Sequence, residues 1–172
     1  MLTRALGFVA ICALTIGACA DPTARPSDGA NAIVEHVIDG DTIDVQIDGA
    51  TERVRLLGID APESVDRERP VQCFGPEASE ELTRLLPPQT SVLLVRDLEA
   101  RDRFGRLLAY VYRADDDLFV NHQLVVSGFA DVLIIDPNEA HEATLRSARR
   151  QARDAGAGLW GACDGADEPL AS

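Results

Sequence analysis

The chain contains no lysine. All 16 of its basic residues are arginine, set against 29 aspartates and glutamates, for a formal net charge of −13 over 172 residues. That balance argues against loose, salt-driven adhesion to nucleic acid, which depends on clustered cations releasing counterions from phosphates. A polyanionic substrate would have to be gripped locally, by a few placed arginines and a bound metal. No CxxC pair or Cys/His cluster is present, which removes the usual zinc sites. There is no Ser/His/Asp pattern, no glycine-rich phosphate loop and no internal repeat. The apolar run at residues 5–16 spans only 12 positions, too short for a stable bilayer-crossing helix.

What is present begins with a leader. A basic start at Met1–Arg4 followed by that apolar run reads as a secretory signal over residues 1–18. Ile16-Gly17-Ala18-Cys19 resembles a bacterial lipobox, in which Cys19 is lipidated and becomes the new N-terminus. Cleavage after Ala18-Cys19-Ala20 also satisfies the small-x-small rule, so secretion without a lipid is the alternative. Residues 19–31 are rich in Ala, Pro, Asp, Ser and Thr without apolar period and read as a flexible tether. Residues 32–163 form one domain with enough chain for a sizeable core, and residues 164–172 are a tail. Cys12 lies in the leader and Cys19 in the lipobox. Cys73 and Cys163 remain, and in an exported chain they are expected to be joined. The bond would close a loop of about ninety residues, worth roughly 4–5 kcal/mol in the chain-entropy model.

The domain is organised around residues 36–63, HVIDGDTIDVQIDGATERVRLLGIDAPE. Thr42–Ile47 and residues 53–57 alternate as strands, and Asp48-Gly49 between them is a strong hairpin signal. A hairpin brings its far ends together, so Asp41 at the start of one strand comes beside Asp60 just past the end of the other. Two neighbouring carboxylates repel, and the pair calls for a cation or a proton. Hard oxygen donors on turns suit Ca²⁺. Glu63 follows Asp60 by three residues. Arg55 shares a strand face with Arg53, Val54 taking the other. Each turn alone would be ordinary; the pair in hairpin register, with an arginine between, points to a site.

Four blocks, VIDGDT (37–42), RLLGIDAPE (55–63), CFGPEA (73–78) and DRFGR (102–106), resemble the thermonuclease family, the staphylococcal-type nucleases, in order and spacing across residues 33–160. The resemblance implies a mainly β, α+β fold: a five-stranded OB-type barrel with three packed helices. It implies an exported, calcium-dependent endonuclease that hydrolyses phosphodiesters of DNA and RNA, favours single-stranded regions and leaves 3′-phosphate ends. It assigns the metal to Asp41, Asp60 and the Ala61 carbonyl. Glu63 is assigned to the attacking water, as general base or as water positioner, and Arg55 and Arg106 to the scissile phosphate. The alternative for either arginine alone is a salt bridge to Asp or Glu. Asp39 and Thr42 match the motif as turn support and as a metal-water contact. Arg103 and Phe104 stand where the family has a lysine and a tyrosine near the nucleotide. Leu133-Ile134-Ile135 replaces its other tyrosines, which bears on nucleotide affinity and base preference.

The remaining pattern agrees with one domain. Strand runs appear at residues 33–38, 91–96 and 107–112. A helix opens at Gly75-Pro76-Glu77 with Ala78, Leu82, Leu85 and Leu86 as inner stripe and stops at Pro87-Pro88. A short helix over residues 120–127 ends at Gly128, and residues 130–135 read as extended. Asp136-Pro137-Asn138-Glu139 resembles a capping box opening a helix to about Ala155, with His141, Leu145, Ala148, Ala152 and Ala155 as its stripe. Arg149, Arg150 and Arg153 fall late in that helix, complementing its dipole. The loop at residues 64–72 carries mixed charge, and Asp115–Asp117 reads as a solvated turn. His36, His122 and His141 are expected on the surface or on helix faces rather than as ligands, and Trp160 as a packing anchor. Nucleic acid is the expected substrate, the lipid anchor the membrane contact, and the chain a monomer. The rival from another class is a non-catalytic OB-type lipoprotein that binds nucleic acid or another polyanion. The net acidity and the missing tyrosines favour that rival; the Asp41, Asp60 and Glu63 set, which pure binding does not need, argues against it.

Overall fold

A computed structural model describes residues 29–64 and 71–163. The leader, Cys19, most of the tether, the charged stretch at 65–70 and the tail at 164–172 lie outside the described residues.

Strands β1 (Ala32–Asp39), β2 (Thr42–Ile47) and β3 (Ala50–Leu56) form an antiparallel meander. Both turn residues between β2 and β3, Asp48 and Gly49, have positive φ, as the tight hairpin demands. The register pairs Thr42 with Arg55 and Asp44 with Arg53. Val54 and Leu56 are buried while Arg53 and Arg55 face outward. A slip of one residue would bury both arginines and expose two core side chains, so burial pins this register.

Helix α1 (Gly75–Leu85) follows, with Pro76 in its first turn and Ala78, Leu82 and Leu85 buried. Strands β5 (Ser91–Val95) and β6 (Leu107–Arg113) complete the barrel in the order β1-β2-β3-β6-β5. Closure comes from β3 lying parallel to β6, with Arg55 opposite Leu108. Helix α2 (Val120–Val126) and helix α3 (Glu142–Ala155) pack on the barrel through Leu124, Val125, Leu145 and Ala148. The architecture is thus the expected α+β one, a closed five-stranded barrel carrying three helices. Three small elements add to it: β4 (Ile59–Asp60) pairs with β7 (Asp131–Val132), and α4 (Leu159–Ala162) makes a final turn. Cys73 and Cys163 are joined, with their Cα atoms 6.1 Å apart. The bridge ties the entry to α1 to the end of α4.

Four local expectations need correction. Helix α3 starts at Glu142 rather than at the Asp136–Glu139 motif. Asn138 is buried and spends its amide on the backbone of Glu99, donating to its carbonyl at 3.2 Å and accepting its N–H at 2.8 Å. Its side chain is therefore committed to another loop, and no side chain caps α3. Ala155, placed in the inner stripe, is exposed, because the helix ends there and Gly156 turns away with φ 59°. The run 130–135 is strand only at Asp131–Val132. Asn31, the last residue assigned to the tether, is bound to the Leu94 backbone on both its amide atoms, so contact with the barrel begins there.

Candidate active site

Asp41 sits in the turn between β1 and β2, and the turn carrying Asp60 and Ala61 packs directly against it. Gly40 makes this approach possible: a Cβ there would fall 2.6 Å from the Ala61 Cβ and 2.8 Å from the Ala78 Cβ. Asp41 is nearly buried and each of its oxygens has defined partners. Oδ1 accepts the Thr42 hydroxyl at 2.9 Å. Oδ2 accepts the Ala61 N–H at 3.0 Å and meets Arg55 Nη2 at 2.9 Å. The Asp41 carbonyl accepts the Leu56 N–H, and its own N–H donates to Asp39 Oδ1. Burial, reinforced by the Asp41 charge, raises the Asp39 carboxyl to about 6. Asp39 and Thr42 are therefore supports of the turn.

The cation between the two aspartates is Arg55. Its Nη2 also donates to Asp60 Oδ1 at 2.7 Å, while Nη1 donates to the carbonyls of Leu56 and Ile59 at 2.8 and 2.7 Å. Hairpin register thus delivers the expected pair, with a guanidinium where a cation was called for. Both carboxylates lie within 3 Å of one positively charged atom. The point they share is taken by the Arg55 guanidinium, and Asp41 Oδ2 also accepts the Ala61 N–H; the two carboxylates are hard oxygen donors of the kind Ca²⁺ takes. Among the described residues no group of three or more His, Cys, Asp or Glu gathers for a metal. A cation here would take two carboxylates and complete its shell with carbonyl and water oxygens.

A cavity of about 620 Å³ opens beside this pair, with Arg55, Asp60, Arg103, Phe104 and Arg106 on its walls. Asp41, Ala61 and Glu63 are not on those walls. Glu63 lies past β4 and is held at its backbone: its N–H donates to Gln72 Oε1 at 2.6 Å and its carbonyl accepts the Gln72 N–H. Glu63 Oε1 accepts the Ser64 N–H at 2.9 Å. Arg106 closes the turn that leads into β6 and pairs with Asp102, Nε to Oδ2 at 2.7 Å. Asp102 also accepts the backbone N–H groups of Phe104 and Arg106. Both arginines are thus salt-bridged, as the alternative for each anticipated, and both also face the cavity. Phe104 is 70% exposed, with the guanidiniums of Arg103 and Arg106 at 4.7 and 5.5 Å from its ring centre. Leu133 and Ile135, where the resemblance expects tyrosines, give the cavity an apolar exposed wall.

Several supporting residues were missed from the sequence. Asp102 lies inside the quoted DRFGR block, four residues ahead of Arg106, a spacing that invites a pair. Gly40 lies inside VIDGDT, but the close approach it permits has no local signal. Asn138 lies inside the expected capping box, and its bond to Glu99 has no local signal. Gln72 carried no signal. The three histidines are not brought together. His36 meets Asp44 at 3.2 Å, His122 lies beside the Phe119 ring, and burial lowers the pKa of His141 where it packs on Tyr110. Asp116 pairs with Arg113 in its turn. Trp160 lies under Arg149 and Arg153 at 5.6 and 5.1 Å, and Arg149 also binds Asp131 on β7.

Comparison with known proteins agrees with this geometry. A family model described as staphylococcal nuclease homologue matches residues 53–162, a span that holds every site residue above except those of the Asp41 turn. The chain is 38% identical over 132 residues to a thermonuclease of Staphylococcus intermedius, covering 77% of each chain. It is 38% identical over 127 residues to a thermonuclease of Staphylococcus hyicus, covering 74% of this chain and 73% of that one. A third relative, endonuclease YncB of Bacillus subtilis, is 33% identical over 131 residues, covering 76% of this chain and 61% of its own.

Proposed function

Because the chain belongs to the staphylococcal nuclease family and is a hydrolytic nuclease, we propose that it cuts DNA and RNA within the strand, with Ca²⁺, leaving 3′-phosphate ends. The observation that carries this reading is the convergence of Asp41 and Asp60 on the Arg55 guanidinium, at the cavity that Arg55 and Arg106 line.

A phosphodiester resists attack because its anionic oxygens repel nucleophiles. Ca²⁺ held by Asp41, Asp60 and the Ala61 carbonyl would supply Lewis-acid polarisation of a phosphate oxygen. Arg106 brings a planar, permanently charged fork already oriented by Asp102, suited to two phosphate oxygens. Arg55 does the same from β3, trading its bond to half-exposed Asp60 for the phosphate. Together they stabilise the charge that grows on the equatorial oxygens as phosphorus becomes five-coordinate. Glu63 holds the attacking water, either receiving its proton or orienting it. The new bond joins water oxygen to phosphorus, the P–O5′ bond breaks, and the leaving O5′ takes a proton. Phe104 with Arg103 lines the substrate side of the cavity, and the apolar Leu133–Ile135 wall favours unpaired, accessible bases.

The basic start, short apolar run and lipobox support export and a lipid anchor at Cys19, with the tether holding a monomeric domain over residues 32–163 off the membrane. Simple cleavage and secretion is the alternative, and the intact mass of the mature protein separates the two. The reaction is tested with residues 20–172 and single-stranded DNA plus Ca²⁺, repeated with chelator and with Glu63→Ala. Cleavage that needs both metal and Glu63, with 3′-phosphate products, is expected. Cleavage that survives both changes would place the chemistry elsewhere.

A further inference from the structure

We propose that a groove on the outer face of β2 and β3 is a second phosphate subsite for the substrate strand, with Arg53 as its cation. The inference rests on the nuclease reading and concerns how that same site holds a longer substrate. The groove has a volume of about 410 Å³ and is lined by Asp44, Thr51, Arg53, Phe104, Gly105 and Arg106. Phe104 and Arg106 line the catalytic cavity as well, so the two depressions are neighbours that share these two side chains.

The strand geometry sets the spacing. Residues two apart on a strand share a face and lie about 6.6 Å apart along it, close to the separation of successive phosphates in an extended polynucleotide. Arg53 and Arg55 are such a pair on β3, one beside the groove and one beside the cavity. A strand crossing Phe104 can therefore lay one phosphate at Arg55 and Arg106 and a neighbouring one at Arg53.

Arg53 is built for that use. Its Nε and Nη2 donate to the two oxygens of Asp44 at 2.8 and 2.9 Å. This side-on pairing fixes the guanidinium plane and leaves the Nη1 donors directed away from Asp44, without a partner among the described residues. Its side chain is 50% exposed, whereas that of Asp44 is 9% exposed. His36 also meets Asp44, Nε2 to Oδ2 at 3.2 Å, so the carboxylate is shared. In a chain this acidic, a pinned arginine beside the catalytic pair extends the local grip on a polyanion without a general positive field.

The test compares substrates of two lengths with the mature chain and Ca²⁺: a nitrophenyl phosphodiester of a single thymidine, and a twelve-residue oligothymidylate. Two variants are used. Arg53→Gln removes the cation, and Thr51→Glu puts a negative charge in the groove while keeping the Asp44–Arg53 pair, so the test stands even if the first variant folds poorly. Each variant should cut the kcat/KM advantage of the oligomer over the small diester by about tenfold, through KM. For Arg53→Gln the log–log salt dependence on the oligomer should flatten by about 0.7, the share of one single-strand phosphate contact. Equal losses on both substrates, or an unchanged salt slope, would overturn the subsite. Wild type that cuts both substrates beside variants that match it defeats the subsite alone. Wild type that cuts neither defeats the nuclease reading beneath it.

Discussion

Replacing Gly40 with alanine should cripple hydrolysis while leaving a folded barrel. The new Cβ would lie 2.6 Å from the Ala61 Cβ and 2.8 Å from the Ala78 Cβ. Carbon atoms in ordinary contact sit about 3.5–4.0 Å apart, so the neighbours must give by about 1 Å. Ala78 is fully buried in α1, and the less constrained side is the Asp60–Ala61 turn. That turn is held to Asp41 by the Ala61 N–H at 3.0 Å, and a shift of this size breaks the bond and parts the two carboxylates. A misplacement of about 1 Å costs on the order of a hundredfold in rate, and overpacking costs about 1–3 kcal/mol of stability. Initial rates on single-stranded DNA across a calcium titration, with thermal melts alongside, read both effects. The expected result is kcat/KM down about a hundredfold with a higher calcium requirement. Adding Ala61→Gly removes the nearer clash but keeps the backbone carbonyl, so the double variant should regain part of the loss. Activity within threefold of wild type at an unchanged calcium requirement would refute the reasoning, as would rescue by Ala78→Gly but not by Ala61→Gly.

Other perturbations test separate parts. Arg106→Ala should lower turnover by roughly 10²–10³ and barely move the melt, because a partly exposed ion pair such as Arg106–Asp102 is worth at most about 1 kcal/mol; a large loss of stability would make Arg106 a structural residue. Reducing the Cys73–Cys163 bond should cost roughly 4–5 kcal/mol in the chain-entropy model, read as a fall in melting temperature of about 10–20 °C. Alkylation of two free thiols under non-reducing, denaturing conditions would contradict the bond itself. The hydrogen bond from Arg53 holds the Asp44 carboxyl below its ordinary value. Its contribution to stability is therefore present above about pH 4 and lost as the pH falls through the depressed folded value. Asp44→Asn should flatten the acid limb of the melting curve, and an identical limb in the variant would rule the contribution out.

Local chemistry was legible in the sequence and non-local contact was not. The Thr42–Ile47 strand and its Asp48-Gly49 turn were readable because a two-residue period and a turn that needs positive φ are both short-range signals. The meeting of Asp41 with Asp60 followed from that hairpin. Arg55 as the bridge between them did not, since the alternation of β3 places a side chain on a face but says nothing of what it touches there. The Asp136–Glu139 motif misled because it is a local pattern: Asn138 inside it is buried and bound to the Glu99 backbone, which holds the segment in a turn ahead of α3. The β4–β7 pairing joins two-residue segments about seventy positions apart, too short to show a period of their own. The Gly40–Ala61 approach is a matter of packing between turns, on which the local pattern is silent.

Closure of the barrel by parallel pairing has a consequence for how activity arises during folding. The acid turns belong to a hairpin whose contacts are short in sequence, so they can form early and alone. Arg106 enters only when β6 docks beside β3, with Val54 meeting Leu107 across more than fifty residues of chain. Pairings that span long loops must overcome their closure entropy before they gain contact energy, and they form late. On the proposed mechanism, a chain still lacking β6 has Asp41, Asp60 and Arg55 but not Arg106, and is expected to hydrolyse little. The first turnover in a refolding mixture is thus a clock for topological completion. The same mechanism predicts that a nascent or clipped chain missing the second half of the barrel is inert, with no separate inhibitor required.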